Sequence, residues 1–399
     1  MKKRVFLRKH IATVLSLIMM FIFSYKNIIF SYKSIFNSVN KDYSIKNNIK
    51  SIENSMNENV YGKYGFVEAY GYMQKLMNKD EVNNFEVIKD KNNFMHYSYF
   101  ATKANETDFL VSRVKALKEN ISNPNTKFAY IMTPDKYIEG YTELKEGLPY
   151  SYFNETADGF LENLEKENID YLDLRKGIKD SGIPLDKLFF KTDHHWTIEA
   201  SFWGFQQLVN YINDKYNIDL DKDNFYTNKE NYNFITYDGV YLGSMGRKTG
   251  IFYDGVDDFT VVYPKFNTSY MFSYSDGEGS YEAKGKFQEA IFFPDAFRME
   301  DDIYNTDKYF SYLKGNHGFS HIINLDKPHG PKALFIKDSM AVPTISFLST
   351  MFSEIYVVDP RYYAEDISEL TNKLSLDFVF ISIYPQNLVD EFFPFFKEK

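Results

Sequence analysis

The 399-residue chain contains no cysteine. That excludes a disulfide framework, a thiolate metal site and a cysteine nucleophile together, and it fits either side of a membrane. Tryptophan is scarce, at two residues, whereas Phe and Tyr reach 38 and 33. A core of this composition must be built on Phe and Tyr, and a Tyr-rich surface can stack on sugar rings. A basic face is missing as well. The net charge is −9, and Lys2, Lys3, Arg4, Arg8 and Lys9 all fall in the first ten positions, so the rest is more acidic still. Nucleic-acid binding needs basic surface to neutralise phosphates, so no nucleic acid is expected as a partner.

Long uncharged runs are also few. Ile11 to Phe23 is one, and it extends to Phe30 if Ser24 to Asn27 are tolerated. A membrane span needs about 20 residues, and no small-x-small cleavage pattern follows, because Ser24 and Ser31 each have isoleucine two positions earlier. Residues 1–36 therefore read as a cytoplasmic basic tip and an uncleaved signal anchor, with a cleaved signal peptide and a secreted product as the alternative. Either way the remainder is extracytoplasmic. Residues 37–59, rich in Ser, Asn and Lys, read as a polar stalk, and the body starts near Val60.

Within the body, strand-like and helix-like segments alternate. Phe109 to Leu117, Asn154 to Glu167 and Ile198 to Tyr216 carry apolar residues at helical spacing, and Lys127 to Met132 and Ile169 to Leu174 are strand candidates. The last seventy residues repeat the pattern: Ala333 to Ile336, Met340 to Met351, Ile355 to Val358, Asp366 to Leu374 and Phe378 to Ile383. Such alternation predicts an α/β fold, a parallel sheet flanked by helices. Between these regions, residues 237–297 are glycine-punctuated and aromatic, with Gly250 to Asp254, Phe259 to Tyr263 and Tyr270 to Tyr274 as strand candidates. They are expected to form an inserted antiparallel β-rich segment, a lid or substrate platform.

Chemistry concentrates at Thr192-Asp193-His194-His195-Trp196. In extended chain a two-residue step puts Asp193 and His195 on one side and His194 on the other. A carboxylate so placed fixes the imidazole tautomer and stabilises its charged form. Ser339 ends a strand candidate and precedes a helix, where free backbone N–H groups can hold an oxyanion. Its hydroxyl needs a base steadied by a third group, which His195 and Asp193 would supply. Asp338 is a competitor for the acid role. His317, His321 and His329, with Asp193 and His194, suggest a metal site, but Gly315, Gly318 and Pro328 break the helix that would align them, so no metal and no cofactor is expected.

The segments Thr192 to Trp196, Ile336 to Ser339 and Val357 to Tyr362 (V-V-D-P-R-Y) together resemble the bacterial DHHW protein family. More broadly, the chain from about residue 100 onward is similar to the SGNH-hydrolase-like domains of alginate O-acetyltransferases. The resemblance implies an SGNH-like catalytic domain over 60–399, with Asp193 as orienting acid, His195 as base and Ser339 as nucleophile. It implies O-acetyl transfer to a cell-surface or secreted polysaccharide, with acetyl groups supplied by a membrane-bound O-acyltransferase partner. Lys337-Asp338-Ser339 stands where the SGNH pattern has Gly-Asp-Ser, and Gly315-Asn316 is the candidate for its oxyanion-forming Gly-Asn pair. His194, Trp196 and Arg361 are further candidates for substrate contact, Trp196 otherwise packing beneath the loop. The same residues with water as acceptor would make a carbohydrate acetyl esterase. A non-catalytic glycan-binding or assembly protein on a degraded hydrolase fold is the remaining alternative.

Overall fold

The computed structural model describes residues 2–39, 44–276, 279–297 and 302–397. Residues 40–43 of the expected stalk and 277–278 of the expected insertion lie outside the described residues. The chain divides into two compact units, Met1–Met73 and Gln74–Lys399.

The first unit is helical. Helix α1 spans Lys2–Ser38, and Arg8–Ser38 within it is long and apolar enough to cross a membrane. Helix α2, Ile45–Glu58, occupies most of the stretch expected as a polar stalk. Its composition hides a stripe: Ile45, Ile49, Ile52 and Met56 recur at helical spacing, and the Ser44 side chain caps the helix by accepting from the Asn47 N–H. Helix α3, Lys63–Leu76, carries the chain into the second unit.

In chain order the second unit comprises β1 (Glu81–Val82), β2 (Val87–Lys89), β3 (Met95–Tyr97), α4 (Asp108–Asn120), β4 (Lys127–Met132), α5 (Phe153–Lys166), β5 (Asp170–Asp173) and α6 (Ile198–Tyr216). There follow β6 (Tyr232–Tyr241), α7 (Ser244–Thr249), α8 (Ile251–Asp254), β7 (Asp257–Pro264), β8 (Tyr270–Asp276), β9 (Gly279–Gly285) and α9 (Phe287–Ala290). The chain closes with β10 (Phe319–Asn324), β11 (Lys332–Lys337), α10 (Val342–Leu348), β12 (Glu354–Val358), α11 (Ile367–Lys373) and β13 (Phe378–Ser382). An eight-stranded sheet in the order β5-β4-β13-β11-β12-β10-β8-β9 organises it. Its first five strands run parallel, as the alternating pattern predicts, and the last three add antiparallel.

Alternation along β4 shows how the layers form. Phe128, Tyr130 and Met132 belong to a core shared with Leu110 and Val114 of α4 and Phe160 of α5, while Ala129 and Ile131 belong to the core to which α6 contributes Phe202 and Phe205. Both faces are covered, so the parallel strands read as continuous apolar runs.

The β-rich insertion is partly redrawn. Strands β6 and β7 pair in a ladder of their own, whereas β8 and β9 extend the main sheet through β10. The strand expected over Gly250 to Asp254 is instead a single helical turn, Ile251–Asp254, bracketed by Gly250 and Gly255 at positive φ (86° and 87°), which ends any extended run at both sides.

Candidate active site

The carboxyl ends of the parallel strands gather the polar groups of the fold. Lys136 follows β4, Tyr384 follows β13, Asp338 and Ser339 follow β11, and Asp359 follows β12. This is the edge where ligands collect in open α/β sheets. The segment 191–196 meets the same edge before feeding α6, whose N-terminus is capped by Thr197 accepting from the Ala200 N–H.

There Nε2 of His195 lies 2.7 Å from Oγ of Ser339. His195 is 2% exposed and Ser339 8%, so the pair is sheltered from bulk water. Two further contacts lock the segments together. Trp196 Nε1 donates to the Met340 carbonyl at 2.9 Å, and the Tyr309 hydroxyl reaches the same carbonyl at 3.2 Å while its ring stacks on His195 with centroids 3.8 Å apart. Trp196 is thereby fully buried and offers no face to a sugar.

Asp193 completes the arrangement. Its Oδ2 is 3.3 Å from His195 Nδ1, an ion-pair distance off the hydrogen-bonding axis, since Nδ1 has no hydrogen-bond partner among the described residues. The backbone bends here, and His194 does not face away as an extended chain would require. Its Nδ1 lies 2.9 Å from Asp193 Oδ1, and the two imidazoles sit 3.9 Å apart. Asp193 also accepts from Ser244 Oγ (2.9 Å), the His194 N–H (2.7 Å) and the Tyr241 hydroxyl. Burial opposes ionisation of this carboxyl, but the charge of His195 and then of His194 holds it well below the usual carboxylate range. Burial, and then the charge of Asp193, push the Tyr241 hydroxyl far up, so it remains a donor.

Ser244 and Tyr241 come from the insertion, which thus reaches the acid. A glycine is required where they approach: a Cβ at Gly243 would lie 2.2 Å from Asp193 Cβ and 2.6 Å from its Cα. Asp257 fastens the loop from another side, accepting from Lys191 N–H, Thr192 N–H and Thr192 Oγ1 at 2.7, 2.8 and 2.6 Å. Sequence reasoning missed Tyr241, Ser244, Asp257, Tyr309 and Lys136. Each acts through a contact far along the chain, and only the compact Gly243-Ser244 pair after a strand hinted at a close approach.

Asp338 does not compete for the acid role. Its Oδ1 accepts from the Met340 N–H (2.9 Å) and its Oδ2 from the Tyr384 N–H and Asn387 Nδ2 (2.8 and 3.0 Å), so it shapes the nucleophile turn. Lys337 is buried, donates to Asn316 Oδ1 and lies 3.4 Å from Asp359, which Arg361 grips through Nε (3.0 Å) and Nη2 (2.7 Å). Asn316 is thereby tied to the residue two before Ser339. The Gly315 N–H is spent on the Tyr312 carbonyl at 3.2 Å in a turn. The other histidines of the expected metal set do not join the loop: His317 stacks on Tyr274, His321 pairs with Glu354, and neither they nor His329 belong to a ligand cluster among the described residues. Among the described residues, Asp193, His194 and His195 form the one group whose ligand atoms lie within 4.8 Å of one another, and donors already occupy its carboxylate.

Residues 94–240 match the family described as SGNH hydrolase-like domain, acetyltransferase AlgX. PatB1 of Bacillus cereus, solved with a sulfonyl adduct, superposes with a TM-score of 0.64 at 20% identity, over 78% of this chain and 98% of that one. The fold is SGNH hydrolase-like. A DHHW family protein from Eubacterium siraeum shares it, with a TM-score of 0.59 at 16% identity over 78% of this chain and 96% of its own. No curated protein matches the chain. Of the segments that carry the resemblance, Thr192 to Trp196 lies within the matched residues, and Ile336 to Ser339 and Val357 to Tyr362 lie beyond them.

Proposed function

We propose that this protein is an extracytoplasmic O-acetyltransferase that modifies hydroxyls of a cell-surface or secreted polysaccharide, with Ser339 as nucleophile, His195 as base and Asp193 as orienting acid. The 2.7 Å contact between His195 Nε2 and Ser339 Oγ carries the reading. A base at that distance can take the hydroxyl proton as Oγ bonds to the acyl carbon. The leaving group departs with the proton from His195, leaving an acetyl ester on Ser339. A sugar hydroxyl then gives its proton to His195 and attacks the ester; collapse returns the proton to Ser339 Oγ and releases the acetylated sugar. Asp193, held ionised, stabilises the imidazolium at each transfer.

The match of residues 94–240 to an acetyltransferase domain supports transfer over a purely binding role. Helix α1 supports tethering at the membrane, within reach of a membrane-bound O-acyltransferase that would supply acetyl groups. The test uses full-length protein in detergent with an activated acetyl ester, with and without an added polysaccharide acceptor. Transfer requires acetyl groups to appear on the acceptor in a Ser339-dependent way. Acetate release alone, unaffected by acceptor, makes the protein an esterase; no Ser339-dependent turnover of either kind returns it to glycan binding.

A further inference from the structure

Lys136 leaves β4 in the sequence Thr133-Pro134-Asp135-Lys136 and is 4% exposed. Its Nζ donates to the Lys191 carbonyl at 2.9 Å and the Asp193 carbonyl at 2.7 Å. Those carbonyls flank Thr192, whose N–H and hydroxyl are bound from elsewhere by Asp257. The bend carrying Asp193 is therefore clamped by a cation on its carbonyl oxygens and an anion on its N–H groups. An ammonium is an expensive group to bury, so its placement against two carbonyls of one loop is specific.

The charges around it come from every neighbouring element. Asp90 follows β2, Asp254 ends α8, Asp257 opens β7 and Asp193 is the loop's own carboxylate; all four favour the charged lysine. His96 of β3, bonded to Asp90 at 3.1 Å, is the neighbouring imidazole, and the Phe94 ring lies 5.3 Å from Nζ. Asp90 and Asp254 have partners of their own in His96 and Lys89.

We propose that Lys136 is a positioning residue for the reaction: its ammonium fixes the backbone on either side of Thr192 from which Asp193 reaches His195. The proposal rests on the Ser339–His195–Asp193 reading. Lys136 touches no reacting atom, so its loss should act on turnover and not on substrate binding. A small displacement of a catalytic group costs about 10²-fold in rate. Burial pulls the Lys136 ammonium down to about 8 despite the surrounding carboxylates. Turnover should then fall as pH rises through that value. Loss of fold would not explain such a fall: the unfolded chain holds this proton to about pH 10.4, so this group makes the folded state more stable as pH rises between the two values.

The experiment measures kcat and KM for acetate release from para-nitrophenyl acetate across pH, with full-length wild type, Lys136→Met and Lys136→Arg. We expect Lys136→Met to lower kcat by about 10²-fold with KM little changed. Lys136→Arg should recover part of the rate and lose the alkaline limb, because a guanidinium stays charged. Wild-type kcat in Lys136→Met, or the same alkaline limb in Lys136→Arg, overturns the proposal; if Lys136→Met does not fold, the limb in Lys136→Arg decides. A wild type without Ser339-dependent turnover overturns the triad reading and this proposal with it, whereas an active wild type with indifferent Lys136 variants overturns this proposal alone.

Discussion

His195 Nε2 and Ser339 Oγ meet at 2.7 Å although 144 positions separate the two residues in sequence. The contact is enforced by the Met340 carbonyl, which takes Trp196 Nε1 on one side and the Tyr309 hydroxyl on the other. Loop and nucleophile turn are thus one unit. A base and nucleophile that act together give non-additive losses. We expect Ser339→Ala and His195→Ala each to lower acetate release by about 10²–10⁴-fold, and the double variant to fall little further. A sulfonyl fluoride should label Ser339 in wild type and label it far more slowly in His195→Ala, as read by peptide mass spectrometry. Equal labelling in both would show that His195 does not activate the hydroxyl.

Asp193 can be separated from its neighbours by pH. Asn at this position keeps the shape but loses the charge and presents an amide to the donors Tyr241, Ser244 and the His194 N–H. Turnover should drop, with KM little affected. Because the folded-state carboxyl is held well below its ordinary range, its stabilising contribution is complete above about pH 4 and lost as pH falls through the folded value. The difference in thermal midpoint between wild type and Asp193→Asn should therefore shrink as pH falls through the folded value in acid. A gap that widens toward acid contradicts the charge assignment.

Much of this was legible in the chain. The alternating apolar runs gave the parallel strands and their helices almost residue for residue, as with Lys127–Met132 and Ile198–Tyr216, because both faces of the sheet are covered and α6 carries apolar residues at helical spacing along its whole length. Asp193, His195 and Ser339 stood out because acid and base shared one motif and the serine ended a strand. What the sequence hid, Trp196 beneath the loop apart, was what supports them. Tyr241, Ser244, Asp257 and Lys136 are ordinary residues in ordinary places, and their meaning lies in hydrogen-bond partners 48 to 66 positions away. The helix within residues 37–59 was hidden for a different reason: Asn and Lys between Ile45, Ile49, Ile52 and Met56 mask a helical period.

Close packing behind the loop gives a further test. The backbone of Asp193 leaves no room for a Cβ at Gly243, and backbone cannot swing aside as a side chain can. Gly243→Ala should destabilise by about 1–3 kcal/mol and reduce turnover by displacing Asp193. Trp196→Phe removes the Nε1 bond to Met340 and some volume, for a cost of about 1–3 kcal/mol. Thermal unfolding measures the first quantity and kcat the second. Full activity in Gly243→Ala would mean that the loop tolerates a shift, and that the acid is less critical than its hydrogen bonds suggest.

Lys337 takes the position of a glycine in the SGNH pattern, and its contacts suggest what it does there. Its Nζ holds Asn316 Oδ1, which fixes that amide and leaves Nδ2 as the donor on the other side, while Asp359, also gripped by Arg361, balances the charge. If Asn316 Nδ2 serves the oxyanion, Asn316→Ala should cut kcat by about 10²–10³-fold at nearly constant KM. Lys337→Met should produce a loss of the same kind, because it frees the amide to rotate. It should also destabilise the fold, though by less than the about 3–5 kcal/mol of a fully broken buried pair, since Asp359 retains Arg361. The discriminating variant is Asn316→Asp: it keeps a partner for Lys337 and removes the donor. Stability preserved with kcat lost assigns the oxyanion to the amide, whereas kcat preserved in Asn316→Asp assigns Asn316 and Lys337 to structure alone.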